Sequence, residues 1–202
     1  MMIVKEVIRK VTEKEIRLLK SPIEMRSLED GSDVIEGYAL KFNTWSEDFG
    51  WFRESISPDS LENTDMSDVV ALYNHEDSQL IGRSGVNLEL EVDNIGLKYT
   101  IKPVDTTASR DLIENIRSGL ITQSSFAMSN IEDDWEETEK RGYYDRTIRS
   151  IGKLWDVSPV VRPAYKDTDV SVNQRSLDKV QDLKKHDKDD LELLDIEMSL
   201  YT

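Results

Sequence analysis

Two histidines, His75 and His186, are the whole imidazole supply of this 202-residue chain. An imidazole titrates near neutrality and can act as a general base. His75 closes an apolar run, in Leu72-Tyr73-Asn74-His75-Glu76, whereas His186 lies in a polar C-terminal stretch. The end of a strand also suits an ordinary loop histidine, but any histidine-dependent catalysis in the body of the chain must use His75. Gln123-Ser124-Ser125-Phe126-Ala127-Met128 is the second place where chemistry could sit. Strands favour β-branched and aromatic residues, so a serine pair in one is unusual. Such a pair either admits a neighbouring backbone or supplies a nucleophilic hydroxyl that needs a partner base. The third place is Asp156, which interrupts the apolar run Leu154-Trp155-Asp156-Val157-Ser158-Pro159-Val160-Val161. An acid there points to water, pairs with a cation or orients a histidine. Serine, histidine and aspartate together satisfy the inventory of a triad, though 41 acidic residues make that inventory easy to satisfy.

Composition removes other chemistries. There is no cysteine, hence no disulfide, thiolate ligand or cysteine nucleophile. Two histidines exclude a histidine-rich metal site within one chain, and no cofactor is expected. The balance of 26 Lys+Arg against 41 Asp+Glu, net -15, disfavours nucleic acid as a partner, because phosphate neutralisation needs clustered cations. No Gly-x-Ser-x-Gly elbow and no glycine-rich phosphate loop is present. The acid run at 132–137 lacks EF-hand spacing and reads as a solvated loop. Trp45, Trp51 and Phe52 read as core and lid residues, with a docking patch as the other use. No stretch is apolar enough for a signal peptide or a membrane span, so a reducing, cytoplasm-like space is expected.

The elements that must position these residues are mostly short strands. Residues 1–25 mix a helical stripe (Val4, Val7, Ile8, Val11) with a strand-like pattern (Ile16, Leu18, Lys20). Strands are predicted over 34–43, 69–73, 80–83, 86–92, 97–101, 120–128, 143–150 and 153–161, with a hairpin turn at 93–96. Residues 44–56 read as an aromatic loop. A short helix is predicted over 58–65, capped by Ser57, and another over 107–119, capped by Ser109 and ended by Gly119. About seven strands and at least two helices point to an α+β domain built on a small closed or nearly closed barrel. From about residue 173 aromatic residues are absent until Tyr201, which predicts a detachable helical or disordered tail. The chain therefore divides into an N-terminal arm (1–30), a central domain (31–172) and an acidic tail (173–202).

Taken in order, several short motifs resemble the tailed-phage prohead protease family, the serine proteases of capsid maturation. They are Gly37-Tyr38-Ala39, Leu72-Tyr73-Asn74-His75, Gly96-Leu97, the stretch from Gly119 through Ser125-Phe126, and Asp156-Val157-Ser158-Pro159-Val160 with Pro163-Ala164. The likeness covers about residues 34–172. Where the family often shows Pro-Gly-Ala-Phe, this chain has Pro58-Asp59-Ser60-Leu61. The resemblance implies a fold related to the herpesvirus assemblins, a β-rich barrel with surrounding helices. It implies Ser125 as nucleophile, His75 as base and Asp156 as third member, a place the assemblins fill with a second histidine. Arg162 is a helper by the same likeness.

The implied activity is peptide-bond hydrolysis inside an assembling prohead in the host cytoplasm. Its substrates would be scaffold, the scaffold-like region of the major capsid protein, and the protease itself. A homodimer is a further expectation from the assemblins; nucleic acid and membrane are not expected partners. A rival from another class is a non-enzymatic assembly factor descended from such a protease, for which the acidic tail would serve as a scaffolding segment.

Overall fold

Alternating apolar side chains produce ten strands, one α-helix and one 3-10 turn within residues 14–19, 22–29 and 31–161, which the computed structural model describes. In chain order they are β1 (Glu15–Leu19), β2 (Glu24–Ser27), β3 (Asp33–Lys41), β4 (Phe52–Ile56), the 3-10 turn Pro58–Leu61, β5 (Val70–Leu72), β6 (Leu80–Arg83), β7 (Leu88–Val92), β8 (Gly96–Ile101), α1 (Thr107–Arg117), β9 (Gln123–Glu137) and β10 (Tyr144–Val160). One sheet runs β1-β9-β10-β5-β6, with β4 also paired to β10; the other runs β2-β3-β8-β7. The expected barrel of about seven strands is therefore not closed. No described strand pairs across the two sheets, so each keeps its own edges. The surrounding helices reduce, among the described residues, to α1 and the 3-10 turn. The predicted tail from residue 173 lies outside the described residues, as do Val4, Val7, Ile8 and Val11 of the arm and Arg162.

The long antiparallel pair β9–β10 organises the first sheet. Two predicted strands, 143–150 and 153–161, are one continuous β10, and the acid run predicted as a loop is the distal half of β9. Its carboxylates find cross-strand cations: Arg149 Nε donates to Asp134 at 2.5 Å and Arg146 Nε to Asp133 at 2.7 Å. The aromatic loop likewise contains a strand, β4, which lies parallel to β10 with Glu54 opposite Arg146. Trp51 stacks on Trp135 with ring centroids 5.5 Å apart and packs on the buried Phe52, so these two cover the sheet, whereas Trp45 stays exposed beneath Arg53. The predicted helix over 58–65 stops after one 3-10 turn. Asp65 is drawn into a bridge with Lys153, its N–H donating to the Gly152 carbonyl at 2.9 Å. Ser57 makes no side-chain cap there. At α1 the cap is Thr106 rather than Ser109; the Thr106 hydroxyl accepts from the Ser109 N–H at 3.1 Å.

Five ionised groups come together where β1, β4, β9 and β10 meet. Arg146 is fully buried and reaches Glu15 at 3.1 Å, Glu54 at 3.0 Å and Asp133 at 2.6 Å. Arg17 pairs with Glu15 at 2.5 Å and with Glu54. Burial pulls the Glu15 carboxyl upward, but the Arg146 and Arg17 charges outweigh it and hold it at about 2. Charges taken out of water persist only when paired in this way.

The core between the sheets holds Ile35, Leu40, Leu97, Tyr99, Ile101, Leu112, Phe126, Met128, Leu154 and Val157. Tyr99 carries a polar link from the second sheet to the strand of interest: its hydroxyl lies 2.7 Å from Ser124 Oγ. Gly37 makes this possible, because a Cβ there would stand 2.7 Å from the Tyr99 hydroxyl oxygen. Gly37→Ala should displace Tyr99, break its bond to Ser124 and lower stability by about 1–3 kcal/mol, measured by urea denaturation.

Candidate active site

Strand parity places the serine pair. Ser124, Phe126 and Met128 face the core, so Ser125 and Ala127 face the other way on β9. β10 would not match this unaided, because Leu154 is a core residue and an unbroken strand would put Asp156 on the same side. The register with β9 slips between Leu154 and Asp156, leaving Trp155 as an extra residue. The bulge reverses parity: Val157, three residues after Leu154, is again in the core, and Asp156 and Ser158 turn to the face that carries Ser125. There Asp156 lies opposite Ala127 and Ser158 opposite Ser125. The short side chains leave room for a ring.

That ring is His75. β5 runs parallel to β10, with Val70 opposite Asp156 and Ala71 opposite Val157, and so delivers its C-terminal end over this face. Asn74 and His75 then both take left-handed backbone angles, φ +56° and +60°. Such angles cost a non-glycine residue about 1 kcal/mol or more and persist only when the surroundings hold them. Asn74 supplies the hold. Its N–H donates to the Pro159 carbonyl at 3.0 Å, and its side-chain oxygen accepts from the Val161 N–H at 3.0 Å. The turn is thus tied to the end of β10, one strand width from Asp156.

The three side chains singled out in the sequence meet in one line. His75 Nε2 is 2.6 Å from Ser125 Oγ, and His75 Nδ1 is 2.5 Å from Asp156 Oδ1. Ser125 and Asp156 have no exposed surface, and the His75 side chain is 12% exposed. Ser158 donates its hydroxyl to Asp156 Oδ1 at 2.8 Å, and the Lys14 ammonium sits 3.0 Å from Oδ2. Burial raises the Asp156 carboxyl, but the hydrogen bond and charge of His75, with Lys14, outweigh it and leave it below the ordinary 3.8. Ser124 makes no part of this line, being turned to Tyr99. Sequence reasoning missed Lys14, Ser158, Tyr99 and the role of Asn74. Only Asn74 carried a signal, as a residue type that tolerates left-handed angles next to the candidate base.

A hydroxyl, an imidazole and a buried carboxylate joined in that order are the parts of a serine hydrolase. Residues 21–183 match the family model described as caudovirus prohead serine protease, and the chain belongs to that family, the proteases of capsid maturation. No curated protein matches the chain. Among solved structures it is similar to the bacteriophage T4 capsid assembly protease, gp21, at 15% identity and a TM-score of 0.49, over 74% of this chain and 98% of that one.

A carboxyl whose pKa is lowered on folding stabilises the fold above its unfolded value and loses that contribution as pH falls through the folded one. The stability difference between the native chain and Asp156→Asn should therefore be greatest above about pH 4 and shrink with further acidification, read from denaturation curves at stepped pH.

Proposed function

We propose that the protein is a serine endopeptidase acting in the assembling prohead, with Ser125 as nucleophile, His75 as general base and then general acid, and Asp156 as the group that orients the imidazole. The continuous chain from Ser125 Oγ through both nitrogens of His75 to the buried Asp156 carries this reading. His75 Nε2 takes the hydroxyl proton as Oγ attacks the scissile carbonyl carbon, and the same nitrogen returns it to the leaving amine. Water, deprotonated in turn by His75, then releases the acyl group. Asp156 fixes the Nδ1–H tautomer and stabilises the imidazolium, a task suited to a carboxyl held ionised well into the acid range.

Family membership supports scaffold and the scaffold-like region of the major capsid protein as substrates, with the protease itself as a third, and the prohead interior in the host cytoplasm as the place of action. Ser125→Ala should abolish truncation of co-expressed coat protein, a loss on the order of 10⁴- to 10⁶-fold in rate. Asp156→Asn should cost about 10⁴-fold, and Ser124→Ala should leave cleavage within about tenfold. Intact-mass analysis of the assembled particles decides the matter. Intact coat protein with the native chain, or cleavage surviving in Ser125→Ala but lost in Ser124→Ala, overturns the assignment.

A further inference from the structure

Ser125 has one hydroxyl hydrogen, and it points at the backbone carbonyl of Arg17, 2.9 Å away. That carbonyl belongs to β1, which lies along the edge of β9 that β10 leaves open. The ladder sets Leu18 opposite Ser125, Arg17 opposite Phe126, Ile16 opposite Ala127 and Glu15 opposite Met128. An extended segment added antiparallel to a sheet edge is a recurring way to bind a peptide. Here the added segment brings one peptide bond, Arg17–Leu18, to the candidate nucleophile. The hydroxyl donates to the carbonyl oxygen, whereas attack needs its lone pair at the carbon, so the segment is held without being poised for cleavage.

The Arg17 carbonyl competes with the imidazole for the same hydroxyl: Ser125 Oγ lies 2.9 Å from that oxygen and 2.6 Å from His75 Nε2. Lys14, on the same segment, holds the far oxygen of Asp156. β1 therefore engages both ends of the site.

The side chain ahead of that bond is read by charge. Arg17 is buried against Glu54 and Glu15, with the Phe49 ring centroid 5.8 Å from its guanidinium carbon. Glu15 and Arg17 would leave together with β1. What stays is Glu54 and Asp133 against Arg146, one net negative charge, which an incoming segment buries again. An uncompensated buried carboxylate favours a cation and rejects an acid. We infer that the β9 edge beside Ser125 is the peptide-binding cleft, that β1 fills it as an internal blocking peptide, and that Glu54 selects a basic residue immediately before the bond facing Ser125. This rests on Ser125 being the nucleophile of the proposed protease.

The test uses the full chain carrying Ser125→Ala, so that binding is read without cleavage. R17E, which sets an acid against Glu54 and Glu15, is added to release β1. The probes are a fluorescent peptide of residues 14–20, Lys-Glu-Ile-Arg-Leu-Leu-Lys, and the same peptide with Glu in place of Arg. Amide hydrogen exchange should show residues 15–19 freed by R17E while β9 and β10 stay protected. Anisotropy should show the arginine peptide binding at least tenfold more tightly once β1 is freed, and at least tenfold more tightly than its glutamate counterpart. Adding E54Q should erase that preference. A folded variant with β1 freed that binds neither peptide overturns the cleft; equal binding of both overturns the role of Glu54. A second variant replaces residues 15–19 by Gly-Ser-Gly-Ser-Gly; if it and R17E both lose cooperative unfolding, β1 is an integral strand and the proposal falls. Because Ser125 is absent throughout, these outcomes are independent of whether the native chain cleaves coat protein.

Discussion

The relative parity of β9 and β10 governs where every catalytic-type side chain lies. A one-residue slip in a strand exchanges its two faces, and the extra residue at Trp155 is such a slip, confined to one point. Before it, β10 sends Leu154 into the core; after it, Val157 goes there and Asp156 turns outward to His75. Without the bulge a carboxylate would enter an apolar core, a costly burial with no partner. The same turn brings Ser158 beside Asp156 and opposite Ser125. The position of His75 is subordinate to this, because β5 takes its place from β10 and Asn74 is anchored to the last residues of the same strand.

Charge is organised on a similar principle of local compensation. The chain carries a net -15, yet its deepest carboxylates each have basic partners: Glu15, Glu54 and Asp133 surround Arg146, and Asp156 lies between His75 and Lys14. Burial alone would raise the Glu15 and Asp156 carboxyls; the charges and hydrogen bonds of their partners outweigh it and lower both. Both clusters draw a member from the first described segment, residues 14–19, so that short stretch is fastened to the body of the fold by ion pairs at two separate points.

The candidate triad was legible because its members were anomalies. His75 was the one imidazole outside the tail, Ser125 a small polar residue in an apolar strand, and Asp156 a lone acid in another. Each broke a pattern that packing would otherwise dictate, which is what functional positions do. The buried cluster was illegible for the converse reason. Glu15, Glu54, Asp133 and Arg146 sit at alternating strand positions where charged side chains ordinarily face water, and Arg146 finds its partners 13, 92 and 131 residues away. The acid run resembled a solvated loop until the arginines of β10 were set across from it. The bulge had no signature at all, since Trp155 is a good strand residue. Closure into a barrel was inferred from the number of short strands, but one pair of them is the single long strand β10, another is extended through the acid run into β9, and the sheets they form stay separate.

The topology also fixes when the site can come into being. His75 precedes Ser125 by 50 residues and Asp156 by 81, and β5 has no partner on its His75 side until β10 exists. A chain emerging from the ribosome therefore carries its imidazole early, its hydroxyl later and its carboxylate last. Until about the final residue of β10 has emerged, the turn that aims His75 lacks both of its anchors, Pro159 and Val161. A site assembled in that order stays incomplete until the whole β9–β10 pair has closed.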